Sequence, residues 1–306
     1  MSLIEEIAKV TKLPLKRIEQ YAMTCHRRYK VYRIPKRNGK GYRIIAQPAP
    51  PVKALQRTIV EILKPYMPMH ISATAYRDGV SIVDNASYHK NNSYILKMDF
   101  KNFFPSVDVG VVLAQIKENC PLFEEPDMFY LLSILFRSIR EEYRYELSIG
   151  APSSPFISNT YMYKFDEMIS GRASERGVVY TRYADDLTFS TNEKGLLFDF
   201  PNIVLEVLEK GGYETIKINA EKTVFSSKKH NRHVTGLVLT NERKVSIGRD
   251  RKREIRTLIF KHLRGELSKS ESRSLKGLVS FARQVEPDFW LRLQKKYGLK
   301  DDFFKP

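Results

Sequence analysis

Two acids stand side by side in Tyr183-Ala184-Asp185-Asp186, between the strand-forming runs Val178-Val179-Tyr180-Thr181-Arg182 and Leu187-Thr188-Phe189-Ser190. Side chains alternate faces along a strand, so on straight backbone neighbouring acids point apart. Both reach one site only if the chain reverses there, which predicts a hairpin whose tight turn carries the pair. Two anions held together repel unless a cation joins them, and a hard divalent ion such as Mg²⁺ takes carboxylate oxygens. On these residues alone, a solvated Asp-Asp turn is the alternative.

The rest of the chain says what surrounds such a hairpin. Its 306 residues carry 52 Lys plus Arg against 35 Asp plus Glu, a formal charge of +17 that points to a polyanionic partner. With 42% hydrophobic and 11% aromatic residues the chain can bury a core, which excludes wholesale disorder. Cys25 and Cys120 make no disulfide framework and sit in no zinc-type spacing. No run approaches the roughly 18 apolar residues of a membrane span. The N-terminus carries early acids in place of a basic leader, so a cytoplasmic location with no membrane partner is expected.

Ser2 with Glu5 forms a capping-box pattern ahead of Leu3, Ile4, Ile7 and Val10, and Leu15, Ile18 and Tyr21 mark a second short helix. Such a pair could read DNA, but it is not strongly basic, and packing is its expected role. From Arg27 to Arg43 there are eight Lys or Arg and no acid, with Tyr29, Tyr32 and Tyr42 interleaved and Asn38-Gly39 as a turn, which predicts a basic β-hairpin. Val52, Leu55, Ile59, Ile62 and Leu63 keep helical spacing, and Met128 to Phe136 reads as a buried helix. Ile157, Tyr161, Phe165, Met168 and Ile169 predict another, stopped at Gly171. Strands are expected around 178–190, 214–219, 222–226 and 233–239, with a helix over 201–210 closed by Gly211-Gly212. His230 and His233 lack a third ligand nearby, so zinc is not expected.

A third acid favours the metal reading over the solvated turn. Asp99 interrupts the apolar strand Tyr94-Ile95-Leu96-Lys97-Met98-Asp99-Phe100. Paired across a sheet with the Asp-Asp hairpin, it completes a three-carboxylate cage for two metal ions. Two-metal sites activate a hydroxyl and stabilise the leaving pyrophosphate of an in-line displacement, which is the palm geometry of polynucleotide polymerases. With Asp99-Phe100-Lys101-Asn102-Phe103-Phe104-Pro105-Ser106, then Ile149-Gly150-Ala151-Pro152-Ser153-Ser154-Pro155, then the Asp-Asp hairpin, in that order, the chain resembles reverse transcriptases. Asn85-Ala86-Ser87-Tyr88-His89 and Val234-Thr235-Gly236-Leu237 make it similar to the bacterial retron branch, over residues 25 to 295 or so. Alternatives are a group II intron, diversity-generating or abortive-infection reverse transcriptase and, from another class, a non-catalytic RNA-binding scaffold. The three intact aspartates argue against the scaffold.

The resemblance implies an α+β right-hand polymerase fold: N-terminal helices and fingers over 1–93, palm over 94–113, further finger and palm helices over 114–147, palm again over 148–239, and a helical thumb over 240–306. It implies that Asp99, Asp185 and Asp186 hold two Mg²⁺ ions, with the Phe100 carbonyl helping and Mn²⁺ able to substitute. Phe104 takes the place of the steric gate against a ribose 2′-OH. Arg43, assisted by Lys36 or Lys40, takes the place of the arginine that grips the triphosphate. Gly150 and Ala151 let backbone approach the nucleotide. The commoner Pro-Gln before that glycine is Ser148-Ile149 here, so one amide contact is absent. Lys222 matches the lysine that protonates pyrophosphate. His89 is expected to shape the surface around RNA, and Val234-Thr235-Gly236 to form the primer grip.

Arg243 to Arg264 holds nine Lys or Arg against Asp250 and Glu254, and a helix with Ile255, Leu258, Ile259 and Leu263 on one face leaves Arg251, Lys252, Arg256 and Lys261 for phosphates. The same resemblance implies RNA-templated DNA synthesis from deoxynucleoside triphosphates, primed by a 2′-OH of a cognate noncoding RNA. The product would be branched RNA-linked multicopy single-stranded DNA (msDNA), in a system commonly acting in anti-phage defence with a co-encoded effector protein. No ribonuclease H segment is evident, so host ribonuclease H is the expected partner for trimming the template.

Overall fold

In a computed structural model of the chain, the described residues are 2–36, 39, 41–120 and 123–299; Lys40 lies outside them. The chain divides into two compact units. One comprises the residues up to Asp78 with Lys97–Leu187 and Phe198–Val224; the other comprises Gly79–Leu96, Thr188–Leu197 and the residues from Phe225 onward.

In the first unit the predicted capping box forms: Ser2 Oγ accepts from the Glu5 N–H at 3.3 Å while Glu5 Oε2 accepts from the Ser2 N–H at 2.8 Å. The helix Leu3–Thr11 then buries Leu3, Ile4 and Ile7, and Asp127 Oδ1 accepts from the Leu3 N–H at 2.9 Å, tying this helix to Glu125–Leu135. The basic segment is an antiparallel hairpin, Tyr29–Pro35 against Tyr42–Pro48, with Tyr29 opposite Pro48 and Pro35 opposite Tyr42. Most of its side chains are exposed, because two strands alone have little to bury against. The helix Pro50–Leu63 starts with proline in its first turn, where a missing N–H costs nothing, and turns Val52, Leu55, Ile59 and Leu63 inward.

The segment expected as one helix ending at Gly171 is two, Ser154–Tyr161 and Tyr163–Glu175, parted at Met162, where ψ is 6°. Gly171 does not stop the second one. Glycine in a helix interior costs about 1 kcal/mol relative to alanine, and the buried Phe165, Ile169 and Ala173 outweigh that.

The main sheet has the strand order Val179–Tyr183, Asp186–Thr191, Tyr94–Lys101, Lys217–Ile218, and Val224–Ser227 also pairs with Tyr94–Lys101. The two last strands are shorter than the sequence suggests. Between them the Asn219 N–H donates to the Asp99 carbonyl at 2.7 Å, and a 3₁₀ turn, Ala220–Lys222, replaces ladder pairing. That turn carries Lys222.

The second unit has its own core. Val234, Leu237, Leu239, Ile255, Ile259, Leu275, Val279, Phe289 and Trp290 pack together with Ala86 and Ile95. They come from the helices Ile82–His89, Arg249–Leu263, Lys269–Val285 and Pro287–Tyr297 and from a three-stranded sheet, Arg232–Val234, Leu237–Leu239 and Val245–Ser246. No helix among the described residues is long and apolar enough to cross a membrane.

Candidate active site

The predicted hairpin closes at Ala184-Asp185, and Ala184 takes a left-handed conformation with φ 57°. A side chain there is strained, and the strain is the means by which two consecutive acids leave the alternation of the strand. The Phe100 N–H donates to the Asp185 carbonyl at 3.0 Å, so the strand bearing Asp99 is tied directly to this turn. One carboxylate oxygen each from Asp99, Asp185 and Asp186 lies within 4.8 Å of the others. Among the described residues they are the one group of three or more candidate metal ligands.

Charge in this recess is unbalanced. Lys222 Nζ sits 2.7 Å from Asp99 Oδ2, and Asn219 Nδ2 donates to Asp99 Oδ1 at 3.4 Å. Burial and the two neighbouring acids push the Asp186 carboxyl up to about 6, although solvent reaches it on one side. Burial, then Asp99, raises Asp185 as well. Burial works against a charged Lys222, but the hydrogen bond and the attraction of the acids outweigh it and hold the amine above the ordinary lysine range. Three carboxylates with one bonded lysine, two of them resisting ionisation, form a hard-oxygen donor set that lacks its counter-charge. The residues present therefore fit a divalent cation. Phe100 adjoins the cage, with its ring buried against Phe103 and Phe165.

The same unit has a cavity of about 290 Å³, one of whose wall residues, Tyr76, feels the charge of Asp185. Phe104, Gly150, Ala151, Tyr76, Lys53 and Arg57 contribute to its wall. Gly150 has φ 117°, and a Cβ on it would meet the Ala46 carbonyl at 3.3 Å. The glycine is thus required by close backbone approach to the basic hairpin, whose Ala46 N–H donates to the Ile149 carbonyl at 3.0 Å. Arg43, exposed on the same hairpin, lowers the pKa of both Asp185 and Tyr76 by its charge, against the larger effect of burial.

Lys53 and Arg57 did not stand out in the sequence. Their signal is a pair of cations one helical turn apart on the polar face of a helix whose Val52, Leu55 and Ile59 point inward. Tyr76 was also unmarked; its φ of 59° is rare for an aromatic residue.

In the second unit His89 does not line a surface. It is fully buried, with Nδ1 2.7 Å from Ser190 Oγ, because Ile82–His89 packs its last turn inward. Val234 is equally buried, whereas Thr235 and Gly236, with φ 47° and 77°, make the turn of the hairpin. The turn is clamped from two sides: Asn85 Nδ2 donates to Thr235 Oγ1 at 3.5 Å, and Arg251 Nη1 donates to the Gly236 carbonyl at 3.0 Å. Lys252 forms an ion pair with Glu286 at 2.6 Å and lies over Phe289. Arg251 and Lys252 thus each have a protein partner while remaining partly exposed. Arg256 is exposed, with its guanidinium over Phe289.

The family profile for reverse transcriptase (RNA-dependent DNA polymerase) matches residues 34–239. The Ec83 retron reverse transcriptase of Escherichia coli is 48% identical over 272 residues, spanning 88% of this chain and 87% of its own. The Ec86 retron reverse transcriptase of the same species is 31% identical, with 97% and 91% covered. Among solved structures, telomerase from Candida tropicalis in complex with a fragment of telomeric RNA aligns at a TM-score of 0.50 with 14% identity, over 92% of this chain. At that identity the likeness speaks for the fold alone, and this chain spans 58% of the telomerase chain. Fold and site define a nucleic-acid polymerase of the right-hand class. The chain belongs to the reverse transcriptase family, on its bacterial retron branch, and is an RNA-directed DNA polymerase.

Proposed function

We propose that the chain builds branched msDNA on a structured noncoding RNA by Mg²⁺-dependent nucleotidyl transfer, within an anti-phage defence system that includes a co-encoded effector. The observation that carries the chemistry is the convergence of the Asp99, Asp185 and Asp186 carboxylates within 4.8 Å on a chain 48% identical to a retron enzyme. Two Mg²⁺ ions held by these three carboxylates would lower the pKa of the attacking hydroxyl, whose proton would pass to solvent, and would offset charge on the leaving pyrophosphate.

The protein's own groups do the rest. Asp185 and Asp186 hold their positions through the left-handed turn, and Asp99 through the strand that bonds it. The oxygen of a guanosine 2′-OH, and of each 3′-OH thereafter, attacks the α-phosphorus while the bond to pyrophosphate breaks. Lys222, protonated and beside Asp99, is placed to give its proton to the departing pyrophosphate. Phe104, in the cavity wall with Gly150 and Ala151, excludes a ribose 2′-OH. Arg43 supplies a fork for triphosphate oxygens. Thr235 and Gly236 present backbone to the primer, and exposed cations such as Arg256 bind RNA phosphates. Host ribonuclease H trims the template.

Asp185→Asn tests the reading. Primer extension should be lost while affinity for the cognate RNA stays within about twofold, since one uncharged ligand disables the cage without touching the basic surfaces. Retained synthesis refutes the metal assignment. Sequencing of nucleic acid that copurifies with the wild type should recover a 2′-5′ branched RNA–DNA molecule; linear DNA only would refute the branched product.

A further inference from the structure

Asp166 and Arg182 are fully buried in the first unit, sixteen positions apart in the chain. Arg182 Nε donates to Asp166 Oδ1 at 2.8 Å and Nη2 to Asp166 Oδ2 at 2.6 Å, a two-pronged pair, and Tyr180 Oη donates to Asp166 Oδ1 at 2.7 Å. Burying two charges loses hydration that their attraction alone often fails to repay, so such a pair is a weak argument for stability. What sets this one apart is where the rest of the fork goes. Arg182 Nη1 donates to the Ala184 carbonyl at 3.1 Å and to Asn159 Oδ1 at 3.1 Å. Asn159, itself fully buried, passes the connection on, since its Nδ2 donates to the Ala75 carbonyl at 2.8 Å.

Each of the two carbonyls belongs to a strained turn. Ala184 has φ 57° and leads into Asp185; the Ala75 carbonyl fixes the peptide that enters Tyr76, with φ 59°. Strained backbone of this kind persists only where surroundings over-determine it, and it gathers at functional sites. Tyr76 lines the cavity, feels the charge of Asp185, and has its ring 6.4 Å from that of Tyr183. The segment is also laced to the hairpin by backbone: the Arg182 N–H donates to the Ser72 carbonyl at 2.7 Å and the Thr74 N–H to the Arg182 carbonyl at 2.8 Å.

We propose that Asp166, Arg182 and Asn159 are positioning residues that set two site elements from one buried node: the turn presenting Asp185 and Asp186, and the turn presenting Tyr76 to the nucleotide cavity. Asp166 fixes the guanidinium, the remaining Nη1 holds the acid turn directly, and Asn159 relays the same anchor to Tyr76. Tyr76 thereby acts as a wall of the deoxynucleotide site, and its placement is tied to that of the metal ligands. A lysine could keep the charge beside Asp166 but not the planar fork that reaches Ala184 and Asn159 together. The inference rests on the proposed reading of cage and cavity.

The two branches can be cut separately. Asn159→Ala severs the Tyr76 branch; Arg182→Lys loosens both. For each variant the melting temperature, Mn²⁺ binding followed by electron paramagnetic resonance without nucleotide, and the KM and kcat for a deoxynucleotide on a primed RNA template would be measured. Asn159→Ala should raise KM about tenfold with kcat and Mn²⁺ affinity within about twofold. Arg182→Lys should weaken Mn²⁺ about tenfold, the scale seen when an outer partner of a metal ligand is lost, and lower kcat about 100-fold. If Arg182→Lys does not fold, Asn159→Ala decides: unchanged KM overturns the relay. A folded Arg182→Lys with wild-type Mn²⁺ affinity and kcat overturns the node. Asp185→Asn separates the two readings. If the wild type has no Mn²⁺ site that this substitution removes, the metal assignment fails, and the KM of Asn159→Ala still tests the Tyr76 branch.

Discussion

The same substitution should have opposite signs at two glycines of the first unit. At Gly150, φ 117° lies in a region L-residues rarely adopt, and holding alanine there costs about 1–3 kcal/mol. The new methyl would sit 3.3 Å from the Ala46 carbonyl oxygen and 3.4 Å from Ile45 Cγ2. Relief requires the loop to retreat from the basic hairpin, stretching the 3.0 Å bond from the Ala46 N–H to the Ile149 carbonyl. A net hydrogen bond adds about 0.5–1.5 kcal/mol, so Gly150→Ala should destabilise by about 1.5–4.5 kcal/mol. Gly171 is interior to the helix Tyr163–Glu175, and a Cβ there meets nothing within 4 Å. Gly171→Ala should therefore stabilise by about 0.5–1 kcal/mol. Urea unfolding followed by circular dichroism measures both, with unchanged m-values confirming that the native states are compared on one scale. Gly150→Ala should also raise the deoxynucleotide KM, because the displaced loop is part of the cavity wall; Gly171→Ala should leave it alone. Shifts of the same sign, or a loss below about 0.5 kcal/mol at Gly150, would refute the close-approach argument.

Phe104→Ala should raise ribonucleotide incorporation, and an unchanged deoxy-to-ribo preference dismisses the gate. Burial drives His89 down to about 3 from its ordinary 6.5, so the folded protein keeps it neutral while the unfolded chain takes up a proton. Its contribution is complete above pH 6.5 and is lost as pH falls toward 3, by up to about 1.4 kcal/mol per pH unit. His89→Gln should flatten the pH dependence of unfolding between about pH 5 and 6.5, and an identical slope speaks against a neutral buried imidazole. Lys252→Ala removes the 2.6 Å ion pair to Glu286, which keeps the Ser246 hydroxyl at 2.8 Å, and should cost about 0.5–1.5 kcal/mol with the salt dependence of RNA binding unchanged. Arg256→Ala should do the reverse, lowering the salt slope by about one with stability intact; equal effects from the two would contradict their different placements.

How much of this was legible follows from the range of the interactions. The Asp-Asp turn could be read because two adjacent acids conflict with strand alternation within four residues, and the Ser2–Glu5 cap because it spans three. The basic hairpin was legible for a related reason: interleaved tyrosines and cations offer little to bury, and the exposure of most of its side chains follows. Helix ends were harder. Gly171 looked like a stop because propensity is local, and it was overruled by side chains that become buried only after folding. The thumb-type cations show the same limit. Nothing in Arg251-Lys252-Arg253 distinguishes the residue that will cap Gly236, the one that will meet Glu286 and the exposed one, because the first two fates depend on partners 15 and 34 positions away. Arg182 is the hardest of these residues to read. In the sequence it is a single cation ending a strand-forming run. Its burial becomes affordable only when Asp166, Asn159 and the Ala184 carbonyl converge on one guanidinium. A charged residue interrupting a run of strand formers beside a strained turn is thus itself the usable signal: a fold keeps such a charge where its fork holds backbone that nothing local would hold.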